Sequence, residues 1–188
     1  MEKRELLSNL YSLYSDFKTT SLYISGATNI VFGEGDPNSP IVFIGEAPGA
    51  EEDKLARPFV GRSGKLLTSI IEEIGYSRSS VFITNIVKCR PPDNRTPTSQ
   101  EISIGKQLLL QHELAIIKPK LIVTLGLSSL SGLLDQSFSM NKVRGTLIKS
   151  NFGTIFPTFH PAYILRNYTQ KGILKDDIEK ALLFAFEK

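Results

Sequence analysis

Apolar residues fall along this chain in two rhythms, and the alternation between them predicts an architecture. Four short runs, Ile41–Ile44, Val81–Ile83, Leu121–Leu125 and Thr154–Phe159, are rich in β-branched and aromatic residues and have the length of strands. Elsewhere the apolar positions recur at helical spacing. Residues 4–16 carry Leu6, Leu7, Leu10, Leu13 and Tyr14. Lys65–Ile74 carries Leu66, Leu67, Ile70 and Ile71, and Glu101–Ile117 carries Ile104, Leu108, Leu109, Leu114 and Ile117. A shorter apolar segment spans Leu127–Leu134, and Asp176–Phe186 reads as a closing helix. Strands alternating with helices require crossover connections, so the expected fold is α/β, a mostly parallel sheet with helices on both faces. No repeat, low-complexity tract or linker divides the 188 residues, and one domain over 1–188 is expected. In such sheets ligands bind beyond the carboxyl ends of the strands. The unusual segments lie there: GEAPG after the first strand, NIVKCRPP after the second and HPAY after the fourth.

Composition narrows the classes without choosing among them. The net charge of +3 permits nucleic-acid binding but does not select it. No apolar run approaches the roughly 18–20 residues of a membrane span. The N-terminal MEKRELLSNLYSLY has no apolar core or cleavage site of a secretory signal, so the expected location is cytoplasmic, without membrane. One cysteine, Cys89, excludes an intrachain disulfide, and with only His112 and His160 beside it little remains for a zinc or iron–sulfur site.

Each unusual segment admits a bland reading and a chemical one. Gly45-Glu46-Ala47-Pro48-Gly49 is either an ordinary strand-to-helix turn or a place where a ligand approaches backbone. Its spacing fits no phosphate loop, and Glu51, Glu52 and Asp53 would repel phosphate. Phe59, among Arg57, Pro58 and Gly61, is either a core plug or a platform on which a base stacks. Asn85 either caps a turn or reads a planar edge such as O4 and N3–H of uracil, because its amide both donates and accepts. Cytosine presents the opposite pattern, and a site built for hydrogen bonds rejects an analogue that leaves them unpaired. The loop KCRPPDNRTP is fixed by three prolines and offers Lys88, Arg90 and Arg95 to phosphates, or is simply solvated. His160, followed by Pro161, is either a packed core histidine or a placed donor. Ile164 and Leu165 before Arg166 read as an apolar wedge for a base stack, with Arg166 holding phosphate.

Together these segments resemble the uracil-DNA glycosylase superfamily, most closely its family-four branch. The resemblance rests on GEAPG with Glu52-Asp53, RPFVGRSGKLL, TNIVKCRPPDNR, PKLIVTLG, KVRG and FHPAYILRN, in that order from about Val31 to Asn167. It implies a three-layer α/β/α sandwich with a central four-stranded parallel sheet. It implies a uracil pocket lined by Gly45, Glu46 and Ala47, with Phe59 stacked on the ring, Asn85 on the O4/N3 edge and His160 on O2. Ile164–Arg166 would fill the gap left by a flipped nucleotide, and Arg144 of KVRG joins the residues expected at DNA. Chains of family one carry Asp where this one has Ala47, so the water-handling carboxylate is expected to be Glu46 first and Glu52 second. Family-four members hold an iron–sulfur cluster through four cysteines. The corresponding positions here are Lys18, Ser21, Cys89 and Gly105, so no cluster and no other cofactor are expected. The segment from Lys18 to Ser25 is then expected to be held by packing, through Tyr23 and Ile24.

Three other readings compete with uracil excision by a monomer. One is a glycosylase for another damaged base. Another is a protein that binds DNA without turnover or traps uracil-DNA covalently. Trapping relatives carry an added histidine after the second strand, and KCRPPDNRTP has none. The third, a generic nucleotide-binding α/β protein, lacks a phosphate loop.

Overall fold

The computed structural model describes residues 2–187. Its centre is a sheet in the order β1-β3-β2-β4-β6-β5. The strands are β1 (Glu34–Gly35), β2 (Ile41–Gly45), β3 (Phe82–Asn85), β4 (Leu121–Leu125), β5 (Ile148–Ser150) and β6 (Gly153–Thr158). The four inner strands pair in parallel, as the alternating rhythm predicts. The sheet is wider than expected, because β1 and β5 add short antiparallel edges. Two- and three-residue strands carry too little apolar pattern to be read from sequence.

The period of two along each inner strand divides the core. Ile41 and Phe43 face one side with Leu121, Val123 and Phe156, and Val42 and Ile44 face the other with Ile122 and Ile155. On the first side pack α3 (Arg62–Glu73), α8 (Pro161–Arg166) and α9 (Lys171–Phe186). On the other pack α1 (Lys3–Ser12), α4 (Ser99–Gly105), α5 (Gln111–Ile117) and α6 (Leu127–Leu134). Two short helices, α2 (Ala50–Leu55) and α7 (Met140–Val143), lie in connections. The result is the expected α/β/α sandwich.

Two helices depart from the sequence pattern in informative ways. The first helix stops at Ser12, and Leu13, assigned to its apolar face, is 73% exposed. The helix expected from Glu101 begins at Ser99, because Thr98 and Glu101 form a reciprocal capping box. It continues through a π-helical turn, Lys106–Leu110, into α5. Among the described residues no helix is long and apolar enough to cross a membrane.

Strand order reverses about β2, which opens a crevice at the carboxyl ends of the inner strands. Gly45 closes β2 and stands in register with Asn85 at the end of β3. Thr158 closes β6, and His160 follows two residues later.

Candidate active site

A cavity of about 160 Å³ opens in this crevice, lined by Glu46, Ala47, Phe59, Asn85 and His160 among others. The sequence singled out all five, and three local devices bring them together. Gly45 is the first. A Cβ there would overlap both Asn85 Oδ1 and the Phe59 ring, so only glycine lets the two side chains meet over the end of β2. Gly126 is the second. It turns at φ +92°, and an added Cβ would lie 3.1 Å from His160 Cβ. The third is the loop carrying Phe59, whose residue sits at φ +51°, a conformation that raises the energy of a non-glycine residue by about 1–3 kcal/mol.

Phe59 is a core residue that also borders the cavity. Its ring is 5% exposed and belongs to the core under α3, yet one surface faces the cavity, 5.7 Å from the His160 ring. Asn85 is 2% exposed, and its Oδ1 has no hydrogen-bond partner among the described residues. An unpaired buried acceptor is unfavourable by about 1–3 kcal/mol. Its presence at the cavity wall is the mark of an acceptor kept free for a ligand donor.

His160 precedes α8, and its Nδ1 accepts a hydrogen bond from the Ala162 backbone N–H at 3.0 Å. Nδ1 is therefore unprotonated, and Nε2 carries the ring proton. Burial, with the nearby Arg166 charge adding to it, lowers the His160 pKa to about 4, against a weaker opposing pull from Glu52. At neutral pH the side chain is a neutral N–H donor.

The two carboxylates of the turn differ. Glu46 is half-buried and lines both this cavity and a larger groove beside it. Glu52 is buried, and its Oε1 accepts from the backbone N–H groups of Val60 at 2.9 Å and Gly61 at 2.7 Å. It supports the Phe59 loop. Asp53 likewise faces backbone, accepting from Thr28 and Asn29 at 3.0 Å each.

Some of the expected DNA contacts need correction, Lys88 and Ile164 above all. Lys88 is 1% exposed, and its Nζ donates to Glu113 Oε2 and Thr84 Oγ1, both at 2.6 Å, in a network completed by Tyr11. It ties β3 to α5 and cannot meet a phosphate. Ile164 is fully buried. Pro161 starts a helix where the sequence was read as a loop, and the helical period turns Ile164 inward toward α3 and α9. Leu165 is half-buried. Tyr163 and Arg166, three apart on α8, instead share the face that lines the adjoining groove of about 730 Å³ with Leu127 and Met140. Arg144 pairs with the buried Asp177 at 2.7 Å and lies over the Phe159 ring, so it anchors the loop after α7. Arg95 pairs with Glu101, and Arg90 donates to Asn94, both at the surface.

The residues at the four cluster positions do not fit an iron–sulfur group. Lys18 and Ser21 are exposed, and Gly105 has no side chain. A Cβ at Gly105 would overlap the Ile86 carbonyl oxygen, so no donor can be placed there. Cys89 is fully buried, and burial pushes its thiol up to about 11. Phe17, Leu22 and Ile24 fill the region as core residues. Ile24 packs as expected, whereas Tyr23 is 37% exposed, its ring set edgewise to that of Phe17.

Sequence alone missed Arg78 and Glu113, because neither stands in a motif whose chemistry calls for it. Tyr163 was within reach of a helical reading begun at Pro161.

Comparison with known proteins supports what the geometry suggests. The model of the Uracil DNA glycosylase superfamily matches residues 32–183. The Type-4 uracil-DNA glycosylase of Thermotoga maritima is 51% identical over 162 residues, 84% of this chain and 83% of that protein. The Type-4 uracil-DNA glycosylase of Sulfurisphaera tokodaii is 48% identical over 162 residues, 81% of this chain and 73% of that protein. The Type-5 uracil-DNA glycosylase of Thermus thermophilus is 36% identical over 84 residues, 37% of this chain and 38% of that protein. With a matched family model over most of its length and such relatives on either side of one half identity, the chain belongs to the uracil-DNA glycosylase superfamily.

Proposed function

We propose that this protein is a uracil-DNA glycosylase, which flips uracil out of DNA, hydrolyses its N-glycosidic bond and leaves an abasic site for base-excision repair. The observation that carries this reading is the unpartnered, buried Asn85 Oδ1 in a cavity walled by Phe59 and His160. Uracil N3–H supplies the donor that Oδ1 lacks, and the Asn85 amide N–H faces O4. Cytosine would set an unprotonated N3 against the same oxygen and leave both unpaired.

Breaking the C1′–N1 bond leaves the electron pair on uracil and positive charge on the sugar. The His160 Nε2–H meets the developing charge on O2. Because the imidazole is neutral throughout, it stabilises the anion as a donor, and its proton remains on Nε2. Water adds to C1′, and its proton ends on the departing uracil. Glu46, at the junction of cavity and groove, is assigned to orient that water. The strand carrying uracil runs along the groove past Tyr163 and Arg166, with Arg90 and Arg95 available to flanking phosphates. One chain supplies every residue of the site, which supports action as a monomer, and the cytoplasm is the compartment proposed.

The test is incubation with an oligonucleotide carrying one uracil, followed by alkaline cleavage, beside strands carrying thymine or hypoxanthine. Cleavage at uracil is expected, with a loss of about a hundred- to a thousand-fold for His160→Ala and a large loss for Glu46→Gln. No cleavage of the uracil strand at any salt would overturn the reading, and preferential cleavage at hypoxanthine would replace it. Full activity of Glu46→Gln would remove that residue from the water's path.

A further inference from the structure

The Phe59 loop is gripped from two sides by groups outside the pocket. Arg78 lies in the short helical turn Arg78–Ser80 just before β3. Its Nη1 donates to Phe59 O and Thr68 Oγ1, both at 3.0 Å, and its Nη2 donates to Pro58 O at 2.6 Å. On the other side Glu52 Oε1 accepts from the N–H groups of Val60 and Gly61. Thus the carbonyls of 58 and 59 and the amides of 60 and 61 are all held, and the strained residue lies between them. Gly64 adds a constraint, since a Cβ there would overlap the Phe59 backbone.

Packing does not replace this grip on the outer side. A groove of about 600 Å³, lined by Arg57, Phe59, Val60, Lys65, Thr68 and Arg78, lies behind the loop. With the guanidinium gone, Phe59 has room to relax from its left-handed conformation and to carry its ring away from the cavity. Arginine suits the task because its planar fork serves three acceptors at once.

We propose that Arg78 is a positioning residue for base recognition: through the Pro58 and Phe59 carbonyls it holds the Phe59 ring as the stacking wall of the uracil pocket. This rests on the uracil reading above. Glu34 extends the grip outward, because it binds Arg57 through two contacts of 2.7 Å and lies 3.8 Å from Arg78 Nε.

The experiment is a double-mutant cycle with Arg78→Met, Phe59→Leu and the double variant, read by inhibition of uracil excision by free uracil. Free uracil reports the grip on the base without the rest of the DNA. Excision by the unmutated protein tests the underlying reading; the cycle tests Arg78 separately. Arg78→Met is expected to weaken inhibition about tenfold, the scale of one lost stacking contact, at temperatures well below its melting point. In the Phe59→Leu background the same change is expected to do little more, because the ring it positions is gone. Affinity for abasic-site DNA, which has no base to stack, should change little. Unchanged inhibition in a folded Arg78→Met protein would overturn the proposal, as would effects that multiply in the double variant. If Arg78→Met does not fold, Arg78→Lys carries the same cycle. One nitrogen cannot span the acceptors now shared by two, so an intermediate loss confined to the Phe59 background is expected, and full inhibition would overturn the proposal.

Discussion

At Asn85 the buried amide serves the cavity more than the fold. No described protein group donates to this buried acceptor, which faces the cavity rather than the fold, so its hydrogen bond is left for whatever enters the cavity. Asn85→Ala is therefore expected to lower uracil excision by about a hundredfold or more, since the discriminating contacts go with the amide. Its stability should fall far less than the about 2–5 kcal/mol typical of a buried Ile→Ala change such as Ile83→Ala. Denaturant unfolding of the two variants makes the comparison, and an equal loss in both would show that the amide supports the fold. Phe59 follows the same logic with backbone strain in place of an orphan acceptor. Its place in the pocket requires an unfavourable φ, which the surrounding hydrogen bonds maintain.

Among the elements, β3 and α5 show how a charge that reads as a DNA contact becomes part of the core. Lys88 and Glu113 form an ion pair with no exposed side-chain surface, shared with Thr84 and Tyr11. Burial drives the Lys88 pKa downward, while Glu113 opposes that shift. Removing one partner leaves the other buried and uncompensated, so Lys88→Ala should destabilise the protein by about 3–5 kcal/mol. Arg166→Ala should instead leave stability nearly unchanged and reduce the salt dependence of DNA binding by about one ion. Titrations at several salt concentrations separate the two: a reduced slope for a folded Lys88→Met protein would return that residue to the DNA surface. The helix α8 gives the complementary lesson. Its four apolar or aromatic positions look alike in sequence, and only the helical turn set by Pro161 decides that Ile164 enters the core while Tyr163 faces the groove.

For the whole molecule, the lowered His160 pKa couples the site to global stability. In the unfolded chain this histidine takes up a proton near its ordinary 6.5, and in the folded protein only near 4. Between those values the unfolded state binds more protons, so stability falls as pH falls through that window. Its contribution is fully present above about 6.5 and is lost by about 4, on the order of 3 kcal/mol from this group. The melting temperature of His160→Gln should consequently depend less on pH between 6.5 and 4 than that of the unmutated protein. Nuclear magnetic resonance of the imidazole supplies the direct measurement: a titration midpoint near 6.5 would contradict both the burial and the neutral-donor mechanism. The proposed mechanism also places no break in excision rate at 6.5, because the Nε2 proton is present on either side of it.

Periodicity in the sequence was sufficient for the inner strands, the covering helices and the crevice at their carboxyl ends, because burial imposes repeats of two and of about 3.6 residues that survive without coordinates. That Glu46, Phe59, Asn85 and His160 line one cavity was within reach of the sequence too, because each stands out by residue type in a segment that follows or borders a strand end. What the sequence left open were matters of partnership. How the Phe59 loop is held, whether Lys88 met phosphate or Glu113, and which face of 161–166 turned outward depend on groups distant in the chain. Arg78 acts on Phe59 from 19 residues away, and Glu113 holds Lys88 from 25. Hydrogen bonds and ion pairs of that range leave no period along the chain. Only the tertiary structure decides them, by bringing donor and acceptor to within about 3 Å of each other.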